Sequence, residues 1–253
     1  MVKLIETKGD AALSQRITTN SNNQNAIKAR ELKSNHSIQQ RLKAEVSAIS
    51  NGAVAYEIKQ GEINKGKTVL TNEAAGLILL AMDLAQPWSC HQKYKVMDEL
   101  HADIFGRPDV TGARIVGYWE CFKSAESALD AIEDKHFAYY NLTKYFLVYA
   151  VVSLIRTKPE GVAMLNNMKE IITSGRLAEL VEIIGVLAKS LALDLNAEIV
   201  DEGAEAFDYK NELKSPTWCK KISARLVAQY SKDVMRKKAE PIDALCSGLS
   251  LAK

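Results

Sequence analysis

Residues 145–155 read YFLVYAVVSLI, an apolar run broken only by Ser153 and closed by Arg156. A helix that crosses a bilayer needs about 20 apolar residues, so this run is too short to span a membrane. It also lacks a polar face. A helix that is apolar all round has to be surrounded by other elements, which makes it a core helix. The rest of the chain must therefore supply walls on every side of it.

Helical punctuation supplies those walls. Ile38, Leu42, Val46 and Ile49 recur at helical spacing behind Ser37 and Gln40, a capping-box pattern that ends at Asn51-Gly52. A second helix starts at Thr71, carries Leu77, Leu80, Met82 and Leu84, and stops before Pro87. Residues 90–105 read as one helix, and Thr111 caps the next, which bears Ile115, Val116, Trp119 and Phe122. Asn141 or Thr143 opens the core helix. Others follow around Ile171 and Ile172, over 177–193, and from Ser215-Pro216 to Lys238, with proline in the first turn. Strand-like stretches are confined to residues 2–5 and 53–58, and 59–67 reads as an exposed loop or hairpin turn. The fold expected is mainly α: one multi-helix domain over 1–238. A small β element, edge strand or hairpin, lies within about 1–68, the helical body spans about 69–238, and 239–253 is a mobile tail. No repeat of 20–50 residues points to a solenoid.

Composition narrows the class. A chain of 253 residues with 47% hydrophobic residues can bury a core, which a disordered chain cannot. Five prolines and 13 glycines are too few for a turn-rich sandwich or a collagen-like fibre. Residues 1–6 carry no apolar signal region, so a cytoplasmic chain is expected. Its four cysteines (Cys90, Cys121, Cys219, Cys246) form no CxxC pair and read as reduced thiols.

The formal charge of +2 conceals two opposed blocks. From Glu160 to Asp208 three bases face ten acids, a balance of −7. From Lys210 to Lys238 nine bases face two acids, a balance of +7. The basic block, with Lys220, Lys221, Arg225, Lys232 and Arg236 beside Trp218 and Tyr230, could touch phosphates and stack on bases. The bland alternative is a solvated face, or one paired with the acidic block just upstream.

No catalytic constellation is visible. There is no G-x-S-x-G, no phosphate-binding glycine loop and no HExxH, so the residues assign no catalytic group, cofactor or metal. His91 and His101, near Asp98 and Asp103, read as surface or capping residues, and His36 as a helix-start residue. The aromatics Trp88, Tyr118, Trp119, Phe122, Tyr139 and Tyr140 read as core.

The most unusual stretch is 17–27, ITTNSNNQNAI, continuing through Leu32-Lys33-Ser34-Asn35 to Ile38, Gln39 and Leu42. Amides in such density favour caps, turns and hydrogen-bonded ligands over helix interiors. Asn22, Asn23, Gln24, Asn25, Ser34 and Asn35 are therefore candidate recognition residues, or else an amide network that fixes a turn.

These residues resemble the AIPR family of abortive-infection phage-resistance proteins, in which a strand is followed by an I…TN.QN.I…dL.SN..iQ..L segment. Residues 71–75, His101-Ala-Asp-Ile-Phe105 and 209–220 (YKNELKSPTWCK) are weaker echoes, with His101 where the family usually has tyrosine. The resemblance implies antiphage defence by abortive infection, with this chain as a helical recognition or effector portion. It also implies a C-terminal half whose partner would be an upstream half carrying the family's V-N-G-x-Q-T element. Two rival readings follow: a nucleic-acid-directed effector, and a non-enzymatic interaction module that docks an upstream effector half or a phage component.

Overall fold

A computed structural model of the chain describes residues 33, 35–133, 136, 141–201, 208–247 and 249. The amide motif 22–25, Ser34, the strand expected at 2–5, and Tyr139 and Tyr140 lie outside them.

The core helix forms as its sequence requires. It spans α6 (Leu142–Ile155), and every residue in it except Lys144 and Ser153 is buried. Its walls are α2 (Asn72–Met82), the 3-10 helix Pro87–His91, α5 (Gly112–Asp130), α9 (Leu177–Asp201) and α11 (Pro216–Met235), all packed against it. α9 also runs along α5, and α1 (Ser37–Ile49) crosses α5 on the far side. Gly112 makes that crossing close: a Cβ there would stand 2.5 Å from the backbone of Glu45 and Val46. The protein is therefore mainly α, as expected. Among the described residues no helix is long and apolar enough to cross a membrane.

The small β element is present, in a form the sequence pattern did not disclose. β1 (Val54–Glu57) pairs with β2 (Thr68–Thr71) in parallel, Val54 opposite Thr68, so the loop between them is a short crossover and not a hairpin turn. Tyr56 and Leu70 are buried on the α1 side of the domain.

Three local expectations change. The cap of α1 is His36, whose Nδ1 accepts the Ile38 N–H at 3.3 Å, one residue ahead of the Ser37 capping box. Residues 90–105 do not form one helix. They break into the 3-10 turn, α3 (Lys93–Val96) and α4 (His101–Phe105), with a non-helical backbone at Gln92. His101 is buried, not a surface or capping residue, at 2% exposure. Its Nε2 lies 3.1 Å from the Gln39 amide nitrogen, and the Gln39 oxygen accepts the Tyr56 O–H at 3.1 Å. An amide N–H donor requires a lone pair on Nε2, so the ring is neutral with its proton on Nδ1.

Thr71 and Thr111 cap α2 and α5 through their hydroxyls, as read from sequence. α7 (Pro159–Asn166) and α8 (Met168–Thr173) follow α6, and α10 (Tyr209–Glu212) leads into α11. The segment after Pro241 holds α12 (Ile242–Ser247), packed on α7 with Ile242 and Cys246 buried.

Burial, then Lys33 and His36, push His101 down to about 4. A histidine whose folded value is depressed contributes stability above its unfolded value of about 6.5, and that contribution drains away as pH falls towards 4. Urea titrations should therefore show stability falling more steeply between pH 6.5 and 4.5 in wild type than in His101→Gln. Equal slopes would exclude the buried ring as the cause.

Candidate functional site

Where apolar α2 ends, Asp83 carries a carboxylate that is 2% exposed. Three arginines converge on it. Arg107 Nη2 lies 2.9 Å away, Arg114 Nη1 lies 3.2 Å from both oxygens, and Arg156 Nη2 lies 3.7 Å away. Arg114 is the pivot. Its Nη1 also donates to Asp109 at 2.6 Å, its Nη2 donates to Asn166 at 3.1 Å, and its guanidinium stands over the Tyr118 ring. The groups come from the end of α2, the 106–111 loop, the first turn of α5, the end of α6 and the end of α7. A buried charge is tolerated only when paired and hydrogen-bonded, which this cluster achieves.

A cavity of about 650 Å³ opens above Arg114, at the N-terminus of α5. Apolar Ala48, Ile49 and Met168 wall it, and Asp109, Asn166 and Lys169 give it polar edges. Glu45 holds the helix end itself: its Oε2 accepts the Gly112 N–H at 2.7 Å, and its Oε1 pairs with Arg41 at 2.8 Å. The cavity thus offers fixed guanidinium charge and hydrogen-bond acceptors beside an apolar wall, an arrangement suited to holding a ligand. Composition and motif searching missed it because its residues are scattered over 45–169. The legible signal was a charge embedded in an apolar run, Asp83 after LILLAM and Arg114 between Ala113 and Ile115.

Of the basic residues singled out from sequence, Lys220, Lys221, Arg225 and Lys232 fall on α11 and Arg236 caps its C-terminus, and all five are exposed. At 100° per residue, Lys221, Arg225, Lys232 and Arg236 share one edge, about 22 Å long at 1.5 Å per residue. Lys220 lies apart on the other edge, its ammonium 5.4 Å from the centre of the Trp88 ring. Arg225 pairs with Glu198 of the acidic helix α9 at 2.9 Å. Among the described residues, Lys221, Lys232 and Arg236 make no ion pair. Trp218 and Tyr230 are buried, so they cannot stack on bases: Trp218 packs against Phe146 and Tyr209, and the Tyr230 hydroxyl donates to the Glu240 carbonyl at 2.9 Å. Of the amide candidates, Asn35 is described, and it sits exposed in the turn before His36.

Other chemistry is held down by burial. All four thiols are free and buried, and burial pushes each of them up, Cys121 and Cys219 to about 12, so none supplies a thiolate at neutral pH. The His91 Nδ1 lies 2.7 Å from the Trp88 carbonyl oxygen. Among the described residues no group of three or more His, Cys, Asp or Glu could hold a metal ion. On α9, Asp194 is pushed up to about 6, by burial first and then by Asp233 and Glu198.

The model of one protein family, described as AIPR protein, matches residues 1–188. No curated protein matches the chain, and no solved structure does. The match takes in the Asp83 cluster and its cavity, while α11 and the family-like segment 209–220 lie beyond it.

Two substitutions test these assignments. Asp83→Asn strips the shared counter-charge from buried Arg114 and should cost about 3–5 kcal/mol in chemical denaturation; a loss below about 1 kcal/mol would contradict the cluster's structural role. Asp194→Asn should do the reverse. A carboxylate raised above its unfolded value weakens the fold once pH exceeds about 4, and fully so above about 6. The variant should gain about 1–2 kcal/mol at pH 7, discounted for partial exposure, and nothing below pH 4.

Proposed function

Because the chain belongs to the AIPR family, a membership that supports a role in abortive infection, we propose that it acts there as a helical recognition and effector portion directed at nucleic acid. The observation that carries this reading is the exposed edge of α11, where Lys221, Arg225 and Lys232, with Arg236 at the C-cap, line one side of a single helix. Cations spaced along a rod displace condensed counterions from a phosphate backbone, and binding gains the entropy of their release. With Trp218 and Tyr230 in the core, contact is limited to phosphates and carries little base information. The reading includes a cytoplasmic site of action, which four unpaired thiols support.

A second reading rests on a different surface. Val186, Leu193 and Val200, exposed at 55%, 51% and 47%, lie seven residues apart on α9. Exposed apolar residues in register on one helix suit a protein partner, either an upstream half of a family protein or a phage component.

Binding to random duplex should be detectable at about 50 mM salt and fall by orders of magnitude by about 200 mM. Lys221→Glu with Lys232→Glu and Arg236→Glu should abolish it while circular dichroism stays unchanged, and Lys220→Glu should retain most of it. No mobility shift at low salt, or binding indifferent to the triple reversal, would remove the phosphate reading.

A further inference from the structure

The α9 face has an internal symmetry that bears on what covers it. Leu180, Ile184, Leu187, Leu191 and Leu195 point α9 into the core, and at 100° per residue Val186 and Leu193 fall opposite them. Glu182 and Lys189 flank Val186, four residues before and three after, on the same edge of that face. Both are exposed, and among the described residues neither makes an ion pair. Two grooves, of about 240 and about 750 Å³, meet at Val186 with Leu245 shared between them; Glu179 and Glu182 line the smaller, Ser190 and Val234 the larger.

Resting on the second reading above, we infer that the occupant of this face is a second copy of the chain, docked antiparallel about a two-fold axis at Val186. The charges carry the inference. A two-fold axis lying in the interface and perpendicular to α9 turns the helix end for end and leaves each edge on its own side. Glu182 of one copy then faces Lys189 of the other, and the pair is made twice. Val186 meets its own counterpart at the centre. An isologous interface needs a patch that complements itself. An acid and a base at nearly equal distances on either side of an apolar centre meet that need, and Glu179, which the axis sets opposite Leu193, pairs with Arg176 of its own copy at 3.4 Å.

Light scattering on the full chain at about 100 µM, above the dissociation constant of a specific pair, should give a dimer. Val186→Glu should give a monomer. Lys189→Glu should raise the dimer dissociation constant at least about tenfold, since it sets acid against acid across the axis twice. The swap Glu182→Lys with Lys189→Glu should restore the wild-type value. All these side chains are exposed, so circular dichroism should report intact folds. A monomeric wild type, a dimer indifferent to Val186→Glu, or a swap that fails to rescue would each overturn the inference. A monomeric wild type that binds a purified upstream half, with that binding lost in Val186→Glu, would overturn the dimer and keep the docking reading.

Discussion

The burial of α6 constrains everything around it. A helix with apolar side chains at every bearing loses free energy wherever water reaches it, at about 25 cal/mol per Å² of exposed apolar surface. α2, α5, α9, α11 and the 3-10 turn all bear on it. Helices used as walls must be amphipathic, and the hydrophilic faces they turn outward become the molecular surface. The basic edge of α11 and the part-apolar face of α9 are thus the outer sides of core walls, held rigidly because their inner sides are buried.

Aromatic contacts tie the walls together on one side of α6. Phe146 meets both Trp218 of α11 and Tyr149, and Tyr149 meets Trp88 of the 3-10 turn. On the α1 side a polar chain through Tyr56, Gln39 and His101 joins the apolar packing of Leu42 and Val46. A fully connected polar network specifies geometry more sharply than apolar contact, since a partner lost inside the protein is not replaced by water. The same amide-rich segment that carries the family resemblance therefore contributes Gln39 to the core and leaves Asn35 at the surface.

Periodicity revealed the helices because it reports one face at a time. The core helix, the Thr71 and Thr111 caps and the Pro216 start were all legible from local chemistry. Features that depend on distant residues were not. The parallel pairing of β1 with β2 is invisible in alternation, which is the same for either strand direction. Residues 90–105 read as one helix because their apolar spacing is helical, while the breaks arise from how the 3-10 turn docks on α2 and α6. His101 looked superficial because polarity was taken for exposure, and its partner Gln39 stands 62 residues away. Trp218 and Tyr230 sit in a basic block by sequence and in the core by helical phase. The charge blocks themselves were legible, and the structure sorts them into an edge, a lone Lys220 and one cross-helix pair.

The Asp83 cluster has a consequence for the order in which the chain folds. Arg107 and Arg114 lie 24 and 31 residues from Asp83, and Asn166 lies 52 beyond Arg114, so the cluster closes several large loops at once. Until α5, α6 and α7 have docked, its charges are better served by water. Pairs that close only on docked helices fall on the native side of a folding barrier, where such contacts hold back unfolding and leave the rate of folding almost untouched. An ionic knot of this kind is a latch on a finished structure.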